Sequence, residues 1–157
     1  MKKLVVLSDT HANIGAIYSI YDIIKESDYV FHLGDHCYDM DGLAGELKDK
    51  LYRVRGNCDG GTENKELIVE IEGCKILVTH GDLYGVKSTL LRLSYRAKEL
   101  GCNVCFYGHT HIAEVTEIDG VTLINPGSAD RFATEKSFCY AVINGAVITV
   151  VINKNIG

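Results

Sequence analysis

Five short groups of metal-ligand residue types recur along this chain, each directly after an apolar, strand-like run. They are Asp9-Thr10-His11, Gly34-Asp35, Gly56-Asn57, His80-Gly81 and Gly108-His109-Thr110-His111. Their placement constrains the fold more than any other feature. A strand end holds a side chain rigidly and leaves one side open to solvent, so a fold that gathers five such ends builds a metal-dependent site. One group of this kind is common in ordinary turns, whereas five in series make the metal site the leading reading.

The apolar pattern supplies the strands. Residues 3–8 read as a buried strand, and Ile14, Ile17, Tyr21 and Ile24 then recur at helical spacing with Asn13 as N-cap. Residues 29–33 form a second strand, Met40, Leu43, Ala44 and Leu47 a short helix, and residues 51–54 a third strand. Such alternation implies a parallel sheet covered by helices. The second half differs. Residues 67–71 and 75–79 flank Glu72-Gly73-Cys74 as a hairpin, and Val86, Leu90, Leu93, Ala97 and Leu100 make one helical stripe stopped by Gly101. Residues 102–107 read as a strand, and Asp119-Gly120 and Asn144-Gly145 are hairpin turns between β-rich runs. These later strands have too few helices to cover both faces of one wide sheet. The predicted fold is therefore α/β, a four-layer α-β-β-α sandwich of two packed mixed β-sheets flanked by helices.

The 157 residues are 46% hydrophobic and 24% charged, with no linker or repeat, which fits a single domain over 1–157. The apolar run near Met1 is too short for a signal-peptide core, and no segment is long enough to span a membrane, so a cytoplasmic location is expected. Six cysteines agree with a reducing compartment. Cys102 and Cys105 form a lone C-x-x-C whose side chains are expected on opposite sides of a strand, as packed thiols rather than a zinc or redox pair. A net charge of −5, with no Lys/Arg cluster interleaved with aromatics, argues against an extended nucleic-acid surface. A small anionic phosphoester remains compatible, because two divalent cations would concentrate positive charge at one spot. Nothing in the chain sets the oligomeric state, and a homo-oligomer is allowed.

In an extended backbone, side chains two residues apart share a side, so Asp9 with His11, and His109 with His111, are expected to point together. The glycines beside the ligands allow sharp turns. Carboxylate, imidazole and amide donors together suit Mn²⁺ or Ni²⁺, with Co²⁺, Zn²⁺, Fe or Mg²⁺ also admissible, better than Ca²⁺ or a thiolate zinc site. Asp9, His11, Asp35, Asn57, His80, His109 and His111 are too many for one tetrahedral ion. Two ions sharing the isolated Asp35 use them all. Paired cations about 3.5–4 Å apart activate a bridging water or hydroxide as nucleophile and clamp phosphate oxygens. The chemistry favoured is phosphoester hydrolysis.

These blocks closely resemble the calcineurin-like metallophosphoesterase superfamily, whose pattern is D-x-H, G-D, G-N-[HC]-[DE], a His-Gly and G-H-x-H. All five occur in order, the third as Gly56-Asn57-Cys58-Asp59, and Asn125-Pro126-Gly127-Ser128 is typical of small members. The short length and the Gly-Asn-Cys-Asp form look most like the YfcE-type phosphodiesterases. The resemblance implies a dinuclear centre in which Asp9, His11, Asp35 and His111 hold one metal and Asp35, Asn57, His80 and His109 the other, with Asn57 also close to the phosphate. Many members carry a His where this chain has Cys58. A thiol with an ordinary pKa near 8.5 stays mostly neutral and hydrogen-bonds weakly, so a bias toward diesters or activated esters is expected.

Beside the ligands, His36 is a candidate substrate contact or a solvated loop residue, and His32 reads as a hydrogen-bonded structural residue. Arg131 reads as a surface ion pair or a phosphate contact. A second class of function is a metal-binding interaction scaffold, since a subunit of the retromer complex shares this fold and looks adapted to interaction. None of the seven ligand positions is eroded here. A mononuclear iron oxygenase would leave Asn57, His80 and one carboxylate unexplained.

Overall fold

In Lys2–Leu7 (β1), Leu4 and Val6 face one way and Val5 and Leu7 the other, and all four are fully buried. That is the mark of a central strand covered on both faces. The computed structural model describes residues 1–154 and Ile156. After β1 come Ile14–Ser19 (α1), Tyr21–Glu26 (α2), Tyr29–His32 (β2), Asp41–Leu47 (α3) and Leu51–Arg53 (β3). The second half contributes Glu66–Ile71 (β4), Cys74–Thr79 (β5), Leu91–Glu99 (α4), Val104–Phe106 (β6), Glu114–Ile118 (β7), Val121–Asn125 (β8), Ser137–Asn144 (β9) and Val147–Lys154 (β10).

Among the described residues these strands form two five-stranded mixed sheets, ordered β10-β9-β1-β2-β3 and β4-β5-β6-β8-β7. In the first, β1, β2 and β3 run parallel, with Val5 opposite Val30 and Val30 opposite Leu51, and β9 and β10 add antiparallel strands. In the second, β5, β6 and β8 are parallel, with β4 and β7 antiparallel at the edges. One apolar cluster unites the sheets face to face, joining Leu4, Val6 and Phe31 to Ile76, Val78 and Phe106. On the outer face of the first sheet, Val5, Leu7 and Val30 pack under Ile17, Ile24 and Leu43 of the helices. On the outer face of the second, Leu77 and Cys105 pack under Leu93 and Ala97 of α4. The layers are therefore helix, sheet, sheet, helix, as the apolar pattern predicts. No helix of the described residues is long and apolar enough to cross a membrane.

Local differences have local causes. The helical stripe over residues 14–24 breaks at Ile20. There the Ser19 hydroxyl donates to the Ala16 carbonyl at 2.6 Å, and the Ile20 N–H turns to Ile17 instead. Asn13 does not cap α1; its amide donates to the Ala129 carbonyl at 2.8 Å and ties two loops together. The stripe from Val86 splits as well, because Gly85, at φ +60°, turns the chain and α4 begins only at Leu91, though Val86 packs where the stripe placed it. Cys74 pairs with Ile71 and Asn144 with Val147, so the tight turns are Glu72-Gly73 and Gly145-Ala146. Cys102 and Cys105 join the same cluster under α4 rather than facing apart. Strand alternation does not reach Cys102, whose N–H still closes the end of α4 on the Ala97 carbonyl at 2.8 Å, with Gly101 bonded to Lys98.

Candidate metal centre

The parallel strands of both sheets end at one rim. Asp9 and His11 follow β1, Asp35 follows β2, Asn57 follows β3, His80 follows β5, and His109 and His111 follow β6. The carboxyl ends of parallel strands are where open α/β sheets place their ligands. Ligand atoms of Asp9, His11, Asp35 and His111 lie within 4.8 Å of one another, and so do those of Asp35, His80 and His109. Asp35 belongs to both groups.

The convergence has a different backbone cause from the extended chain expected. Asp9, His11, Asp35, His109 and His111 all adopt positive φ, between +41° and +72°, as do the adjacent Ala12 and His36. Left-handed backbone costs a non-glycine residue about 1–2 kcal/mol. The turn it makes also separates His109 from His111, which enter different groups rather than pointing together. Among the glycines, Gly56 owes its identity to crowding: a Cβ there would run into the main chain and carboxylate of Asp35. A Cβ on Gly108 would likewise meet Ser8 and Asp9.

Supporting hydrogen bonds aim each donor. The Leu33 carbonyl lies 2.8 Å from His80 Nδ1 and accepts its proton, which turns Nε2 toward the site, 3.4 Å from Asp35 Oδ2. Asp35 Oδ1 accepts the Cys58 N–H at 2.9 Å, while Oδ2 lies 3.7 Å from His11 Nε2. One oxygen is thus anchored and the other sits between the two groups. Asp9 Oδ2 accepts from the Ser8 hydroxyl at 2.5 Å and the His109 N–H at 3.2 Å. Its Oδ1 lies 3.1 Å from His111 Nε2.

The donors fit divalent cations. Asp9 Oδ1 and His11 Nε2 are buried atoms without a hydrogen-bond partner, a state that costs about 1–3 kcal/mol unless something occupies the space between them. Bonds of about 2.1 Å at about 90–109° set neighbouring donors about 3.0–3.4 Å apart. Three pairs match, at 3.1 Å for His80 Nε2 and His109 Nδ1, 3.1 Å for Asp9 and His111, and 3.4 Å for Asp35 and His80, while His11 Nε2 stands further out, 3.7 Å from Asp35 and 3.9 Å from Asp9. The electrostatics agree. Burial opposes charge on Asp35, yet the hydrogen bond and charge of His80, the Cys58 N–H and His11 hold its carboxyl well below the usual range. Burial likewise opposes charge on His80, but Asp35 and Asp9 outweigh it and raise its pKa. The Asp9 carboxylate beside it raises that of His111, whereas burial and His80 lower that of His109.

Other expected residues fall around this core. Asn57 is exposed and its amide lies 3.8 Å from the Cys58 sulfur. Cys58 is also exposed, and slight burial together with the Asp35 charge raises its pKa. The His36 ring stands 5.4 Å from the His11 ring and 4.9 Å from that of Tyr38. Arg131 is exposed and outside both ligand groups. His32 is structural, as expected: Nδ1 accepts the Gly34 N–H at 3.1 Å, so Nε2 donates to the Thr10 hydroxyl at 2.9 Å. Burial lowers its pKa to about 4.

Two supports had gone unread in the sequence. Asp39 Oδ2 accepts from the Thr10 hydroxyl at 2.7 Å and the Ala12 N–H at 2.8 Å, holding the left-handed turn that carries His11. Asp59 accepts the N–H groups of Asp35 and Gly56 at 2.9 Å each and of His36 at 2.6 Å, knitting the loops after β2 and β3. Its place in Gly56-Asn57-Cys58-Asp59 was a signal; Asp39 had none. Asn125 at the end of β8 and Ser128 in the loop after it add support, the amide donating to Thr110 at 2.9 Å and the hydroxyl to the Asp9 carbonyl at 2.9 Å.

The calcineurin-like phosphoesterase superfamily domain matches residues 1–146. The chain belongs to that superfamily. A probable metallophosphoesterase of Bacillus subtilis, YsnB, is 37% identical over 142 residues, covering 89% of this chain and 82% of the relative. Phosphodiesterase YfcE of Escherichia coli is 25% identical over 176 residues, covering 96% of this chain and 92% of its own. Vps29 of Entamoeba histolytica, solved in complex with Zn²⁺, shares the fold with a TM-score of 0.80 at 21% identity, over 98% of each chain.

Proposed function

We propose that this protein is a dinuclear, divalent-metal phosphodiesterase. The observation that carries the reading is the Asp35 carboxylate, whose Oδ2 lies 3.7 Å from His11 Nε2 and 3.4 Å from His80 Nε2, one donor from each group. Asp9, His11, Asp35 and His111 would hold one cation, and Asp35, Asn57, His80 and His109 the other. When bound, such a pair, Mn²⁺ or Ni²⁺ in the first instance, supplies an ionised water as nucleophile and a positive clamp for phosphoryl oxygens.

The chain's own groups do the rest. The Leu33 carbonyl and the Cys58 N–H keep His80 and Asp35 in fixed orientations. The exposed Asn57 amide would donate to a phosphoryl oxygen, and the His36 ring, beside the rings of His11 and Tyr38, would contact substrate. Cys58 stays a neutral thiol beside Asp35 and gives a departing alkoxide little help. Diesters with activated leaving groups are the substrates this favours. The shared core between the sheets supports one domain over 1–157, and the free thiols fit a reducing cytoplasm.

The test is to strip the protein, restore Mn²⁺, Ni²⁺, Co²⁺, Zn²⁺ or Mg²⁺ singly, and assay an aryl diester against an aryl monoester. Turnover with about two metals per chain, abolished by His109→Ala, is expected; undiminished turnover in that variant sinks the reading. The shape shared with Vps29 supports a second reading, a metal-binding interaction scaffold. Metal-loaded protein that turns over no ester in any of these conditions would favour it.

A further inference from the structure

We propose that the open cavity beside His111 seats an uncharged, aryl-type ester group of the substrate. This rests on the phosphodiesterase reading and extends it to substrate class. The cavity holds about 640 Å³ and is walled by His111, Ile112, Ala113, Phe132 and Ala133, with Asp130, Glu135 and Lys154 among its polar lining. His111 belongs to both the cavity and the ligand cluster, so this space adjoins the place where a phosphoryl group would sit.

Three observations specify the occupant. Phe132 is 87% exposed and Ile112 66% exposed, two of the most exposed large apolar side chains among the described residues, and both line this one cavity. An aromatic ring left in water offers a flat apolar face to a planar partner. The ring also stands on an ordered turn. The Phe132 N–H donates to Asp130 Oδ1 at 3.1 Å, the Asp130 N–H to the Ser128 hydroxyl at 3.1 Å, and that hydroxyl to the Asp9 carbonyl at 2.9 Å. A continuous path of hydrogen bonds therefore ties the turn that carries Phe132 to Asp9, so the main chain of this wall is ordered before binding. Finally, Lys154 is already paired with Glu135 at 3.1 Å, which leaves Asp130 as the uncompensated charge among the described lining residues. A second phosphate or a carboxylate finds no free cation among these described residues, and a neutral ring needs none.

The test measures binding to the metal-loaded protein with non-hydrolysable probes, methylphosphonate, phenylphosphonate and 4-carboxyphenylphosphonate, by titration calorimetry. Wild type should bind phenylphosphonate roughly tenfold tighter than methylphosphonate, and the carboxylate should remove most of that advantage. In Phe132→Ala/Ile112→Ser the phenyl-to-methyl ratio should fall near one while methylphosphonate affinity is kept. Both side chains are solvent-exposed, so folding should be retained, with circular dichroism as the check. A wild-type ratio near one, or a ratio unchanged in the variant, overturns the proposal. The metal-centre reading is scored separately by methylphosphonate, whose binding should be lost in His109→Ala. If methylphosphonate does not bind at all, the metal reading fails, and phenylphosphonate binding lost in Phe132→Ala/Ile112→Ser still decides the cavity; absence of phenylphosphonate binding overturns it.

Discussion

Replacing Asp39 with Ala should loosen the turn that carries His11 without touching a metal ligand. Asp39 is buried, and one of its oxygens accepts both the Thr10 hydroxyl and the Ala12 N–H. Hydrogen bonds to a charged group contribute about 1.5–3 kcal/mol each. Thr10 retains a weaker alternative in the His36 carbonyl at 3.3 Å, so the net loss should be about 3 kcal/mol rather than the full pair. Asp39→Asn can keep an acceptor in the same place but loses the charge, which about halves the strength, so about 1.5 kcal/mol is expected. For a chain of this size 1 kcal/mol corresponds to about 2–4 °C in Tm. Metal-free protein should therefore melt roughly 6–12 °C lower for Asp39→Ala and roughly 3–6 °C lower for Asp39→Asn. The left-handed backbone at His11 and Ala12, at φ +41° and +68°, should relax in the Ala variant. Calorimetric titration should then show one weakened metal class, the one served by His11, with the His80–His109 class kept. If both variants lie within about 0.5 kcal/mol of wild type and titrate alike, Asp39 does not hold the turn and the argument is wrong.

Gly56→Ala should displace Asp35, because the added Cβ meets its main chain; a cost of about 1–3 kcal/mol and fewer than two bound metals are expected, with Gly60→Ala, in open space, as the neutral control. His32 contributes a pH dependence of known sign. Its folded pKa of about 4 lies below the ordinary 6.5, so the unfolded chain takes up the proton first. The stability present above pH 6.5 is then lost as pH falls toward 4, by about 3 kcal/mol in all. Urea unfolding of metal-free protein should show that slope reduced in His32→Asn, and an identical slope would contradict the neutral assignment. Cys58→His should raise turnover of monoesters and poor leaving groups by at least about tenfold relative to aryl diesters; an unchanged diester-to-monoester ratio would remove Cys58 as the source of any bias.

The candidate ligand residues were legible in the sequence because each stands beside an apolar run whose type can be read locally. Their grouping was less so. Side-chain alternation holds only in extended backbone, and the strands stop before the ligands: β1 ends at Leu7 and β6 at Phe106. Beyond them the left-handed turns at His11 and His111 redirect the chain. Asp39 and Phe132 were invisible for a similar reason, since each acts on residues distant in the chain and neither carries a local pattern.

Taken alone, the amino-acid order determined the strands, the two-sheet layering and which residues are candidate donors, because burial periodicity and residue chemistry are properties of short segments. Only the tertiary structure decided that Asp35 stands between two donor groups, that His109 and His111 part company, and that an exposed aromatic overlooks the site. Each of those facts depends on distances between segments brought together by packing one sheet on the other, and no local pattern encodes a distance across the core.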